Sequence, residues 1–126
     1  MKRQIVATDA APKAIGPYSQ AVCAGDYIFC AGQIPLDPAT GNMVAGGIIE
    51  QTTRVLENIN GLLRSQGLSF SNVVKTTVFL SDMDNFAAMN EVYGKYFIKD
   101  FPARSTVQVA RLPKDALVEI EVVACR

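Results

Sequence analysis

The period of the apolar residues changes repeatedly along this chain, and that alternation restricts the possible folds more than any other feature. From 48 to 66, Ile48, Thr52, Val55, Leu56, Ile59, Leu62 and Leu63 recur at helical spacing. Gly67 stands where a helix C-cap favours glycine. Gly61 falls inside this helix, where glycine costs about 1 kcal/mol against alanine, so close packing is expected there. A second helical stripe, Phe86, Met89, Val92, Tyr93, Tyr96 and Phe97, lies in 85–97. Ser81-Asp82-Met83-Asp84 supplies N-cap chemistry just ahead of it.

Between and around these windows the chain reads as strands. Residues 73–80 are rich in β-branched side chains. Residues 4–7 form a short strand candidate, and 18–24 and 27–31 flank Gly25-Asp26 as a hairpin. Residues 9–17 and 38–47 are loops rich in turn formers. After the second helix, 102–109 and 116–122 alternate and are joined by a Pro113-containing turn, which reads as a closing hairpin. The order is strand, strand, strand, helix, strand, helix, strand, strand.

Strands joined through a helix should run parallel with right-handed crossovers, and directly joined strands should be antiparallel. The expected fold class is therefore α/β (α+β): a two-layer sandwich whose mixed six-stranded sheet carries both helices on one face. One helix layer leaves the second face uncovered. Val78, Phe79 and Leu80 supply apolar groups to both sides, so self-association is expected. The chain has 126 residues, no repeats and no linker, which predicts one domain over 1–126.

Charge and composition exclude several classes of chemistry. Twelve basic and twelve acidic residues cancel, so neither nucleic acid nor an anionic membrane is an expected partner. The absence of histidine excludes Ser-His-Asp and Cys-His catalysis, histidine acid–base steps and most zinc sites. Cys23, Cys30 and Cys125 are odd in number and far apart, which argues against a disulfide framework or metal knuckle. A reduced, cytoplasmic setting is expected. The stretch 1–6 is too polar and soon too broken for a signal peptide, and no apolar run reaches membrane-spanning length.

The last two strands carry the candidate chemistry. Val107 and Val109 point to one face, and Arg104, Thr106 and Gln108 to the other; Val118, Ile120 and Val122 share a face opposite Glu119 and Glu121. A hairpin with its apolar groups on one face brings Arg104, Thr106, Glu119 and Glu121 onto the other. An arginine fork and a carboxylate on one sheet can hold a small carboxylate and activate water. Taken singly, Arg104 reads as one half of a salt bridge, and Glu119 and Glu121 as a solvated strand face. A tight turn at 112–115 leaves Arg104 about 13 Å from Glu119 at strand rise. Either a bulge or wider loop closes that gap, or the two residues meet across a subunit boundary.

Five blocks, in order, resemble one known family: Ala14-Ile15-Gly16-Pro17-Tyr18-Ser19-Gln20, Gly32-Gln33-Ile34-Pro35, Val74-Lys75-Thr76-Thr77-Val78-Phe79-Leu80, Pro102-Ala103-Arg104-Ser105 and Val109-Ala110-Arg111-Leu112-Pro113-Lys114-Asp115-Ala116. They are similar to the reactive-intermediate deaminases (Rid), over essentially the whole chain. The resemblance implies a homotrimer of chorismate-mutase-like subunits whose sheets form a central barrel, with ligand clefts between neighbours. It implies hydrolysis of 2-imino acids and enamines, such as 2-iminobutanoate and 2-iminopropanoate, to 2-oxo acids and ammonia without a cofactor. Arg104 matches the family's carboxylate-binding arginine, and Glu119 the glutamate linked to water activation. Tyr18, Gly32 and Asn90 match cleft-lining positions. Cys30 and Thr106 occupy positions that are often serine and cysteine in relatives.

The residue chemistry agrees with those roles. Arginine can hold a carboxylate with two parallel hydrogen bonds, which lysine cannot. A glutamate general base is worth about 100- to 10,000-fold. Gly32 lets backbone N–H groups approach a substrate. Hydrolysis through water needs no covalent intermediate, so Thr106 reads as a pocket wall and hydroxyl donor. Cys30 is grouped with Thr106 among the substrate-binding positions, but nothing in the sequence offers a base to lower its pKa, and a small buried residue at a strand end is the favoured reading. Two rival readings remain: an RNA-acting enzyme that inhibits translation, and a non-catalytic 2-oxo acid-binding module that uses Arg104 but not Glu119.

Overall fold

The apolar stripe of 48–66 folds as α1 (Ile48–Ser65), with Val55, Leu56, Ile59, Leu62 and Leu63 buried along one face. At its start the Glu50 side chain accepts a hydrogen bond from the Gly47 N–H at 2.8 Å. At its end Gly67 takes a left-handed φ of 71°, and the Gly67 and Leu68 N–H groups donate to the Arg64 and Leu63 carbonyls. These two bonds are the paired closure that glycine makes possible there. The computed structural model describes residues 2–126; Met1, where the expected domain begins, lies outside them.

Gly61 is needed for packing, as expected. A methyl group at that position would run into the Ala10 carbonyl oxygen of the N-terminal loop. Alanine gains about 1 kcal/mol in helix propensity, but overpacking costs about 1–3 kcal/mol. Gly61→Ala should therefore lower the denaturation midpoint in urea without changing the slope; a higher midpoint would show that this contact yields freely.

The strands are β1 (Arg3–Val6), β2 (Ala21–Ala24), β3 (Tyr27–Gln33), β4 (Val73–Leu80), β5 (Ala103–Gln108) and β6 (Val118–Cys125), and α2 is Phe86–Tyr96. They form one six-stranded mixed sheet in the order β1-β2-β3-β6-β4-β5. β4 and β5 are parallel, joined through α2, and the other neighbouring pairs are antiparallel. Asp82 caps the short 3-10 turn that leads into α2, accepting from the Asp84 N–H at 2.8 Å. The core lies between the two helices and one sheet face, where Val78, Leu80, Val118, Ile120 and Val122 meet Leu56, Ile59, Met89 and Val92.

The expected closing hairpin is not one. β4 lies between β5 and β6, pairing in parallel with one and antiparallel with the other. The connection between them is a wide step over the end of β4, and both its ends are tied there. The Val109 N–H donates to the Leu80 carbonyl at 2.9 Å, and the Ser81 N–H to the Leu117 carbonyl at 3.1 Å. Within the step, Lys114 and Asp115 both adopt left-handed φ values of 55° and 56°.

This pairing reverses one expectation about faces. Thr76 aligns with Arg104 on one side and Val122 on the other, and Val78 aligns with Thr106 and Ile120. Arg104 and Thr106 therefore share the helix-covered face with Val118, Ile120 and Val122. Glu119 and Glu121 align with Phe79 and Thr77 and lie on the opposite, open face. That open face also carries Ile5, Tyr27, Phe29 and Val107, each about half exposed (57%, 48%, 48% and 45%). The apolar second face expected from the sequence is present.

Candidate functional site

Arg104 sits on β5, an edge strand, and its side chain reaches over the end of the core to α2. Its Nη1 donates to the Asn90 Oδ1 at 2.7 Å. The guanidinium carbon lies 4.8 Å from the centre of the Tyr93 ring and 5.5 Å from that of Phe86. Phe86, Asn90 and Tyr93 are spaced four and three residues apart, so they form one helix face. Asn90, Tyr93 and Arg104 line an open cleft of about 390 Å³ with Gly94, Phe101 and Pro102. Among the described residues the one salt bridge joins Arg111 to Asp115, so no carboxylate neutralises Arg104. Two residues along the strand, the Thr106 hydroxyl is buried and without a hydrogen-bond partner.

Glu119 belongs to a second cluster. Its carboxylate occupies the space that a side chain at Gly32 would need. Glycine is thus required at position 32 by Glu119, whereas the sequence pointed only to backbone access for a ligand. Burial pushes the Glu119 pKa up, and the like charge of Glu121 adds to the rise. Gly32 lines a cleft of about 310 Å³ together with Tyr18, Gln33, Ile34, Lys13 and Lys114.

Tyr18 projects from the 7–20 loop and is 53% exposed. Its hydroxyl accepts from the Ile15 N–H at 3.2 Å. The loop is held by the buried Gln20 amide, which accepts from the Thr8 N–H at 2.7 Å and donates to the Thr8 and Pro12 carbonyls at 3.0 and 2.8 Å. Lys114 owes its place to the left-handed turn, where Arg111 and Asp115 pair at 2.7 Å.

The structure thus brings Arg104, Asn90 and Thr106 to one side of the sheet, and Glu119, Gly32 and Tyr18 to the other cluster. Arg104 and Glu119 are two strands and three residues apart, roughly 14 Å between Cα atoms, on opposite faces. Of the two routes left open by the sequence, a bulge or wider loop does not unite them within one copy.

Cys30 belongs to neither cluster. It is 7% exposed in the core, on the helix-facing side of β3, and burial pushes its thiol up to about 12. The structure places Cys30 away from both clefts: alternation turns it inward, and a thiol with so high a pKa is a poor nucleophile.

Phe86, Tyr93, Lys13, Lys114 and Gln20 were missed as site residues. The spacing of Phe86, Asn90 and Tyr93 was a usable signal, because Asn90 had already been singled out. Nothing local marks the two lysines or Gln20. Among the described residues no three His, Cys, Asp or Glu side chains converge in a way that could hold a metal. Nor is any helix there long and apolar enough to cross a membrane.

A family described as Endoribonuclease L-PSP matches residues 8–126. A RutC family protein of Pyrococcus abyssi is 55% identical over 124 residues, covering 98% of each chain. The human 2-iminobutanoate/2-iminopropanoate deaminase is 48% identical, covering 97% of this chain and 89% of its own. The crystal structure of Escherichia coli TdcF with bound serine superposes with a TM-score of 0.93 at 45% identity, covering 98% of both chains. Full-length identity near one half, a family match over nearly the whole chain and one shared fold give a single assignment: the chain belongs to the Endoribonuclease L-PSP family, among the Rid proteins.

Proposed function

We propose that this protein is a cytoplasmic, homotrimeric hydrolase that converts 2-imino acids and their enamines, such as 2-iminobutanoate and 2-iminopropanoate, to 2-oxo acids and ammonia. The observation that carries this reading is the guanidinium of Arg104: oriented by Asn90, set against two aromatic rings, facing a cleft and matched by no carboxylate of its own. An arginine so arranged is a receptor for a small anion. The serine held by TdcF fits a site for carboxylates of amino-acid size. Three free cysteines suit a reduced compartment.

The substrate carboxylate pairs with Arg104, and the unpartnered Thr106 hydroxyl offers a further hydrogen bond. Glu119 accepts a proton from water as the water oxygen bonds to C2 of the protonated imine, whose C=N pair moves to nitrogen. The protonated Glu119 then donates to that nitrogen. The C–N bond breaks, ammonia leaves, and the hydroxyl proton passes to the regenerated Glu119 carboxylate and on to solvent as the 2-oxo group forms. Water and imine are consumed, oxo acid and ammonia appear, and no redox change occurs. Because Arg104 and Glu119 lie on opposite faces of one sheet, the complete cleft joins the Arg104 side of one copy to the Glu119 side of the next. Apolar packing of the open faces supplies the association.

The direct test generates 2-iminobutanoate in place from threonine with a dehydratase and follows its decay. The protein should accelerate decay well above the buffer rate; decay at the buffer rate removes the enzymatic reading. Glu119→Gln separates the binding-module reading, since a module keeps 2-oxobutanoate affinity and has no turnover to lose. The pH profile gives a further check. Glu119 must be ionised to act as base, and its pKa is raised, so the acid limb of kcat/KM should lie above the ordinary carboxylate range. Glu121→Gln removes a like charge, eases ionisation and should move that limb to lower pH.

A further inference from the structure

We infer that Tyr93 is a positioning residue for Arg104, its ring setting the plane of the guanidinium and its hydroxyl tying that ring to the strand beside Arg104. The inference rests on the deaminase reading of the Arg104 cleft and adds a residue to it. Three contacts converge on this one side chain. The Arg104 guanidinium carbon lies 4.8 Å from the ring centre. Phe97 stacks on the same ring at 4.4 Å and 28°, so the ring has little freedom to tilt. The hydroxyl shares a buried 2.8 Å hydrogen bond with the Thr76 Oγ1. Thr76 is in turn the residue of β4 aligned with Arg104 on β5.

Thr76 is fully buried on a strand face otherwise filled by Val78 and Leu80. A hydroxyl there would be destabilising without a partner, and Tyr93 is that partner. Asn90 restrains Nη1 by a 2.7 Å hydrogen bond, but one bond leaves the planar fork free to swing about it. An aromatic face beneath removes that freedom. A fork held in one plane accepts both oxygens of a carboxylate without first losing rotamer entropy, so the contact acts on binding more than on the hydrolytic step.

The test uses the full-length protein and separates KM from kcat for 2-iminobutanoate, with 2-oxobutanoate as a calorimetric binding probe. Tyr93→Leu removes ring and hydroxyl. It should raise KM and the 2-oxobutanoate Kd about tenfold while kcat at saturation changes by less than about threefold. Tyr93→Phe keeps the ring and should restore most of the affinity, remaining about threefold weaker than wild type. Thr76→Val should match Tyr93→Phe, because both remove the same hydrogen bond.

A folded Tyr93→Leu protein with wild-type KM and Kd overturns the inference. If that variant does not fold, wild-type KM in both Tyr93→Phe and Thr76→Val overturns it instead. Arg104→Ala, measured alongside, keeps the two levels apart. Wild-type decay at the buffer rate defeats the deaminase reading itself, and retained turnover in Arg104→Ala defeats the assignment of the substrate carboxylate to Arg104. Lost turnover there, with Tyr93→Leu unaffected, defeats only the role of Tyr93.

Discussion

Arg104→Ala should reduce kcat/KM for 2-iminobutanoate by about 100- to 10,000-fold while leaving the melting temperature nearly unchanged. The lost contact is a charge-assisted, two-pronged hydrogen bond to a carboxylate, worth several kcal/mol when its fork is held in place. Stability should be spared because Arg104 is exposed on an edge strand, paired only with the Asn90 amide and the faces of two rings. Arg104→Lys should recover little, since a point charge cannot reproduce the fork and cannot lie flat against Tyr93. Steady-state kinetics on the three proteins, with thermal melts as controls, check both halves. A melting temperature that falls with the activity would mean that Arg104 holds the fold rather than the ligand.

The second expectation concerns two inactive proteins that become active together. Arg104→Ala keeps an intact Glu119 side, and Glu119→Gln keeps an intact Arg104 side. If each cleft draws Arg104 from one copy and Glu119 from its neighbour, subunits unfolded and reassembled as an equal mixture contain complete sites. By random assortment about one quarter of the clefts should combine both native residues, restoring about a quarter of wild-type activity. Each variant refolded alone should stay near background, and mixing without unfolding should restore nothing until subunits exchange. Absence of recovery in properly reassembled oligomers would place both residues of each site on one chain, against the geometry of the sheet.

Legibility from sequence followed the range of the interactions. Both helices and β4 could be placed closely because their signals are local: an apolar stripe, a C-cap glycine, a run of β-branched residues. Alternation within β5 and β6 was also readable, since the period of two is a property of each strand alone. What could not be read was that β4 stands between them. Sequence adjacency favours a hairpin, and only the anchoring of Val109 and Leu117 to the end of β4 shows the wider step. That single substitution of neighbour moved Arg104 and Glu119 to opposite faces.

Strand alternation and the lack of histidine singled out Arg104, Glu119 and Glu121 as candidates, and the family resemblance gave Arg104 and Glu119 their roles. The reason for Gly32 was not legible, because it lies in a side chain 87 positions later that fills the missing Cβ. Tyr93 was counted as core because an aromatic in a helical stripe gives no sign that one of its faces meets a guanidinium.

The placement of β6 also bears on how the polypeptide emerges during synthesis. It leaves the ribosome after the other five strands of this sheet, yet it pairs with β3 on one side and β4 on the other, inside the sheet. Until it arrives, β3 and β4 have no common neighbour, and two strand edges stand open to other nascent chains. Native pairing can therefore close only once β6 is clear of the ribosome, with long-range pairing as the slow step. A chaperone that shields those edges would raise yield more than one that speeds helix formation, and ribosome-stalled chains ending before Val118 should remain sensitive to protease throughout.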